Sequence, residues 1–201
     1  MDELTLLQAA RLKGRVRPAD LATTLDEDGS AVDSALAELV EAGLLVEGKT
    51  VRLSPDGRTR LTELLAEERR DLDVQAFTAA YDEFRSVNRE FKALVSEWQL
   101  KNGEPNDHGD AAYDAAVLAR LDGIHQTVVP ILASASAQLP RLDAYSAKLS
   151  AALTGIRAGD TIWFTRPIID SYHTVWFELH EELIGAAGLT REEEAEAGHA
   201  E

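Results

Sequence analysis

Apolar side chains recur along this chain at helical spacing, in short segments before about residue 71 and in long ones after it. Leu6, Ala9 and Ala10 share one face of an opening helix that runs to Leu12–Lys13 before Gly14 stops it. Pro18 sits where a helix can begin, and Ala19–Leu25 supplies a short second one. After the polar turn Asp26-Glu27-Asp28-Gly29, a third helix carries Val32, Leu36, Leu39 and Val40 inward and closes at Gly43. Leu44-Leu45-Val46 and Thr50-Val51-Arg52-Leu53 then read as a short hairpin with Gly48-Lys49 at its tip. Ser54 is placed to cap a fourth helix, with Pro55 at its first position.

Beyond residue 71 the pattern lengthens. Val74, Phe77, Tyr81, Phe84, Asn88, Phe91, Val95 and Trp98 are spaced alternately three and four apart, which predicts one long helix with an unbroken inward stripe. Asn102–Asp110 reads as a polar loop. A second long helix follows with Tyr113, Val117, Leu121, Ile124, Val128 and Ile131 inward, and Pro130 is expected to kink or break it. Pro140 opens a third, with Leu142, Tyr145, Leu149, Leu153 and Ile156 inward, ended at Gly159. A fourth is expected from Thr161 to Ile184, bent near Arg166-Pro167. The expected fold is mainly α. Residues 1–70 form one domain, residues 71–188 an antiparallel four-helix bundle for dimerisation or ligand sensing, and residues 189–201 an acidic, disordered tail.

Helix, helix, helix, two-stranded wing and helix, in that order, resemble the winged-helix domain of MarR-type regulators. The resemblance rests on the helix-turn-helix Pro18–Gly43 and on Val51-Arg52-Leu53-Ser54-Pro55-Asp56-Gly57-Arg58, where the wing runs into a helix through a Leu-Ser-x-x-Gly-Arg pattern. It covers about the first third of the chain. It implies a homodimeric DNA-binding regulator in which Arg15, Arg17, Lys49 and Arg58 hold phosphates while Ser30 and Ser34 face the groove.

Charge weighs against that implication. The chain carries 20 Lys and Arg against 36 Asp and Glu, a formal net charge of −16. Residues 1–70 hold 10 basic and 14 acidic side chains, and the remainder 10 and 22. The third helix, which would read bases, has Asp33 and Glu38 and no Lys or Arg. Its basic neighbours (Arg11, Lys13, Arg15, Arg17, Lys49, Arg52, Arg58 and Arg60) form a ring suited to phosphate contacts, or a solvated fringe on a protein-docking domain.

All 12 aromatic residues lie beyond residue 71. Three features there invite a chemical reading. Asn88 interrupts the aromatic stripe and either fixes packing register or faces a ligand. Asp170, His173 and His180 fall on one face of the last helix, and His125 on the second long helix is placed to join them around a metal or an anion; the simpler reading is a set of structural histidines. Arg166 and Trp176, among Trp163, Phe164, Tyr172 and Phe177, suit a small anionic or aromatic effector, or an ordinary core. No resident metal or other cofactor is expected.

No Cys, no secretory leader and no membrane-length apolar run suggest a cytoplasmic protein without membrane contact. No nucleophile triad, phosphate loop or zinc-protease motif is present, so an enzyme is not expected. The stretch Trp163–Leu183 is similar to helical modules attached to some bacterial phosphoenolpyruvate-utilising enzymes related to pyruvate phosphate dikinase. That second resemblance implies an accessory subunit docking on a partner enzyme.

Overall fold

The computed structural model describes residues 2–196 and is mainly helical, with two small two-stranded sheets. Its internal contacts divide the chain between Asp71 and Leu72.

The N-terminal unit is built from α1 (Glu3–Lys13), α2 (Pro18–Leu25), α3 (Gly29–Glu41), the antiparallel pair β1 (Leu45–Val46) and β2 (Arg52–Leu53), and α4 (Pro55–Glu68). Side-chain oxygens cap three of the helices: Asp2 accepts from Thr5 N, Asp28 from the amides of Ser30 and Ala31, and Ser54 from Gly57 N. Gly14 ends α1 at φ 73°, a conformation that L side chains rarely adopt. Leu6, Leu7, Ala10, Leu21, Val32, Leu36, Leu45, Leu53 and Leu61 form the core.

One link in this unit lies outside the sequence pattern. Val16 N donates to Val51 O at 3.2 Å and Val51 N to Val16 O at 2.8 Å, so the segment after α1 pairs with the hairpin. A second constraint sits at Gly57. A Cβ there would lie 2.0 Å from the Leu44 carbonyl oxygen, because Ser54 draws the start of α4 onto the end of α3 by donating from Oγ to Gly43 O at 2.6 Å. The Gly in Leu-Ser-x-x-Gly-Arg is therefore required by close backbone approach.

The C-terminal unit contains α5 (Val74–Gln99), β3 (Leu100–Lys101), β4 (Glu104–Pro105), α6 (Ala111–Ser136), α7 (Asp143–Arg157), α8 (Ile162–Thr165), α9 (Tyr172–Ala186) and α10 (Arg191–Glu196). A 3-10 turn, Pro140–Leu142, leads into α7. α5 packs along α6, and α7 packs against α6, α8 and α9. The stripe on α5 is buried from Phe77 to Trp98; Val74, in the exposed first turn, is not.

Four expectations for this unit need correction. The polar loop 102–110 begins with a hairpin: Asn102 and Gly103 at φ 54° and 84° turn β3 onto β4. Of the two expected effects of Pro130, a kink or a break, the break does not occur: α6 continues to Ser136, and Gln126, whose carbonyl loses its hydrogen bond, is an exposed residue. The expected helix 161–184 is two helices, separated because Pro167 removes a donor and disfavours helical geometry at Arg166.

The fourth correction concerns the tail. Residues 191–196 are helical, and Glu194 is 2% exposed. Tyr81 Oη donates to Glu194 Oε2 at 2.7 Å and Arg85 Nε at 3.1 Å, while Arg85 Nη2 binds the other carboxylate oxygen. This charge-assisted clip holds α10 on α5. Residues 197–201 lie outside the described residues.

Candidate functional site

In the N-terminal unit the Val16–Val51 bridge gathers charge. Val16 and Val51 point into the core, so their neighbours point the other way. Arg15 and Arg17 are therefore exposed beside the hairpin that carries Lys49 and Arg52, and Arg58 is exposed in the first turns of α4.

Not every cation of that ring is equally available. Arg17 donates to both carboxylate oxygens of Asp20, at 2.7 and 2.6 Å. This hydrogen bonding holds Asp20 below the ordinary carboxylate range and raises Arg17. Arg60 spans from α4 to Glu3, with both contacts at 3.2 Å, and ties α4 to α1.

On α3, the Ser30 hydroxyl donates to Asp28 Oδ1, and the Ser34 hydroxyl to Ser30 O at 2.9 Å. Asp28 is held below its ordinary range, first by Ser30 Oγ and then by the Ala31 and Ser30 amides. Both serines are exposed but spend their hydrogens locally. Toward a duplex they present lone pairs, which suit the amino groups of cytosine or adenine and not phosphate.

In the C-terminal unit, α5, α9 and α10 wall a cavity of about 250 Å³. Asn88, His173, Trp176 and His180 line it together with Phe91, Lys92, Phe177 and Arg191, while Val95, Ser96 and Gln99 complete the α5 side. Phe91 and Trp176 stack at 4.3 Å. Asn88 Oδ1 accepts from Trp176 Nε1 at 2.9 Å, so the amide that interrupts the stripe fixes α5 against α9 and also faces the cavity.

The other sequence candidates lie elsewhere. His125 Nδ1 pairs with the Tyr172 hydroxyl at 3.1 Å. Asp170 precedes α9 and meets Lys148 Nζ at 3.5 Å. Arg166 is exposed in the α8–α9 loop. The grouping of Asp170 and His125 with His173 and His180 is thus not formed, because Asp170 stands before the helix whose periodicity was to align it. Among the described residues no group of three or more His, Asp or Glu is arranged to hold a metal ion. Sequence reasoning placed Phe177 among the aromatics of a possible effector site but missed Lys92 and Arg191. Lys92 follows Phe91 of the stripe, but Arg191 reaches the cavity only because α10 is docked.

Burial disfavours the charged form of both cavity histidines. His180 is lowered from 6.5 to about 4, mainly by desolvation; nearby Glu181 and Glu194 oppose the shift, and Arg191 and Lys92 add to it. His173 is also lowered by burial. Below pH 6.5 the unfolded chain protonates an imidazole that the folded chain leaves neutral until about pH 4. Stability attributable to His180 is therefore present above pH 6.5 and lost as pH falls through that window, by up to about 3 kcal/mol. Urea unfolding at pH 7 and pH 5 should show the fall. His180→Gln should remove most of it and leave a residue from His173. An unchanged pH dependence in that variant would contradict a buried neutral His180.

No helix among the described residues is long and apolar enough to cross a membrane. The chain matches none of the protein-family models, curated proteins or solved structures with which it was compared.

Proposed function

We propose that this chain is a dimeric winged-helix regulator of MarR-like type, whose C-terminal unit is a four-helix bundle of α5, α6, α7 and α9 that senses a small effector. The observation that supports the DNA-binding part is the Val16–Val51 bridge, which pairs the segment carrying exposed Arg15 and Arg17 with the hairpin that carries exposed Lys49 and half-buried Arg52. In this reading β1 and β2 are the wing and α3 is the recognition helix. Arg15, Lys49 and Arg58 hold phosphates, Arg17 joins them by exchanging Asp20 for phosphate, and Ser30 and Ser34 face base edges. Such binding is dominated by the backbone, since α3 supplies no cation. In a dimer the two recognition helices must sit about 34 Å apart to meet successive half-sites, and an effector acts by changing that spacing.

A gel shift against the DNA flanking the chain's own gene tests the proposal. Lys49→Ala with Arg58→Ala should weaken binding to every sequence and lower the salt slope by about one unit per lost phosphate contact. Equal binding by the variant and the parent would overturn these contacts.

A second reading has its own observation. The outward face of α3 exposes Asp33, Glu38 and Glu41, an acidic surface suited to a basic patch on a partner protein. In that reading the chain is a docking subunit for a metabolic enzyme and binds no DNA.

A further inference from the structure

Helix α10 is held on the C-terminal unit without an apolar anchor of its own. Of its six residues only Glu194 is buried, and its one apolar residue, Ala195, is exposed. The last apolar contact belongs to Leu189, which packs against the core just before Thr190 and Glu193 form the cap of the helix. A helix of six residues does not persist alone in water, so α10 is helical only while it is docked.

Charge docks it at two points. Glu194 accepts from Tyr81 Oη and Arg85 on α5, and Arg191 pairs with Glu181 on α9, its guanidinium 4.9 Å over the Phe177 ring. These are the two helices that, with α10, wall the cavity. The clip also reaches the cavity wall, because Tyr81 Oη lies 3.5 Å from Nε2 of His180, a lining residue. Burial first, and then the Glu194 carboxylate, raise the Tyr81 hydroxyl above its ordinary value, so it keeps its proton and directs it at Glu194. We infer that α10 is a latch on the cavity: it undocks and unfolds from Thr190 onward, opens the space between α5 and α9, and re-forms when Glu194 returns to Tyr81 and Arg85.

Undocking changes the cavity twice. Arg191 leaves the rim, and the Tyr81 hydroxyl, no longer committed to Glu194, is free to turn to His180. An occupant that fits one of these two walls better than the other shifts the latch by as much as that difference. Opening returns a carboxylate and two guanidinium groups to water, which solvates them, and separates no apolar layer beyond the Arg191–Phe177 contact. Segments with so few buried apolar contacts lie at the low end of local opening energies. The latch rests on the sensor reading for its biological sense, but its opening is measured without DNA.

Hydrogen exchange of the full chain, followed by mass spectrometry, tests it. The amides of Glu193 and Glu194 donate to Thr190 only while α10 is formed. Their protection should fall at least about tenfold in Glu194→Gln and in Arg85→Gln, while α6 and α7 keep parental protection. Glu192→Gln removes the same charge from an exposed position of α10 and should match the parent. Acrylamide quenching of Trp176, 2% exposed on the cavity wall, should rise in the two clip variants. Tyr81→Phe keeps the Arg85 contact and should change both signals less. Parental protection in Glu194→Gln would overturn the latch, as would faster exchange without a rise in quenching. Loss of the bundle's melting transition in both clip variants would also overturn it, since α10 would then be part of the core. Parental protection with intact DNA binding removes the latch alone; an opening latch in a chain that binds no DNA removes the regulator alone.

Discussion

Gly57→Ala should unfold most of the N-terminal unit. The added methyl would sit 2.0 Å from Leu44 O and 2.9 Å from Leu44 C, both backbone atoms, with Leu53 Cδ2 at 3.3 Å on another side. A side chain could rotate away; a carbonyl fixed by Ser54 N at 3.0 Å cannot without losing that hydrogen bond. Overpacking alone costs about 1–3 kcal/mol, and the broken bonds around Ser54 add to it, so a loss of at least about 3 kcal/mol is expected. All three Trp lie in the C-terminal unit, so their fluorescence reports that unit while far-ultraviolet circular dichroism reports both. The variant should lose helical signal and keep its tryptophan spectrum. Gly123→Ala is the control: nothing lies within 4 Å of its Cβ position, and Ala there should stabilise α6 by about 0.5–1 kcal/mol. A Gly57→Ala protein with parental stability would contradict the close approach of α4 to the end of α3.

Phe84→Ala should have the complementary effect. Phe84 is 0% exposed, with ring centroids 5.2 Å from Trp176 and 5.5 Å from His180. Removing the ring leaves a cavity in a layer already joined by the Asn88–Trp176 hydrogen bond, which limits collapse around it. The expected loss is about 3–5 kcal/mol, which lowers the melting temperature of this unit by at least about 10 °C. Tryptophan fluorescence during heating measures it. An unchanged transition would place the stripe of α5 outside the core.

Much of this architecture is legible in the sequence because local rules suffice for it. The alternation of three and four from Phe77 to Trp98 needs only helical geometry, and the burial of those residues follows. Ser54-Pro55 marks the start of α4 through capping chemistry confined to four residues. The hairpin at Asn102-Gly103 was equally local, but the surrounding polar residues masked a two-residue turn signature. The docking of α10 was not legible. Arg191–Glu196 contains four glutamates and reads as a solvated segment, until Arg85 and Tyr81, more than a hundred residues earlier, supply the partners that bury Glu194. The same distance hides the cavity, since Arg191 has no periodic relation to Lys92. The basic edge depended on a single bridge, Val16 to Val51, and Val16 lies in a segment with no pairing pattern of its own.

The salt dependence of DNA binding tests the central claim most directly. Fluorescence anisotropy of a labelled duplex, titrated with the full chain between about 50 and 200 mM salt, yields the slope of log K against log salt concentration. Four phosphate contacts from one protomer, at Arg15, Arg17, Lys49 and Arg58, predict a slope of about −3.6, and a dimer about twice that, at roughly −0.9 per contact. No detectable binding at about 50 mM salt, where electrostatic attraction is strongest, would contradict the regulator and leave the acidic face of α3 as a protein-docking surface.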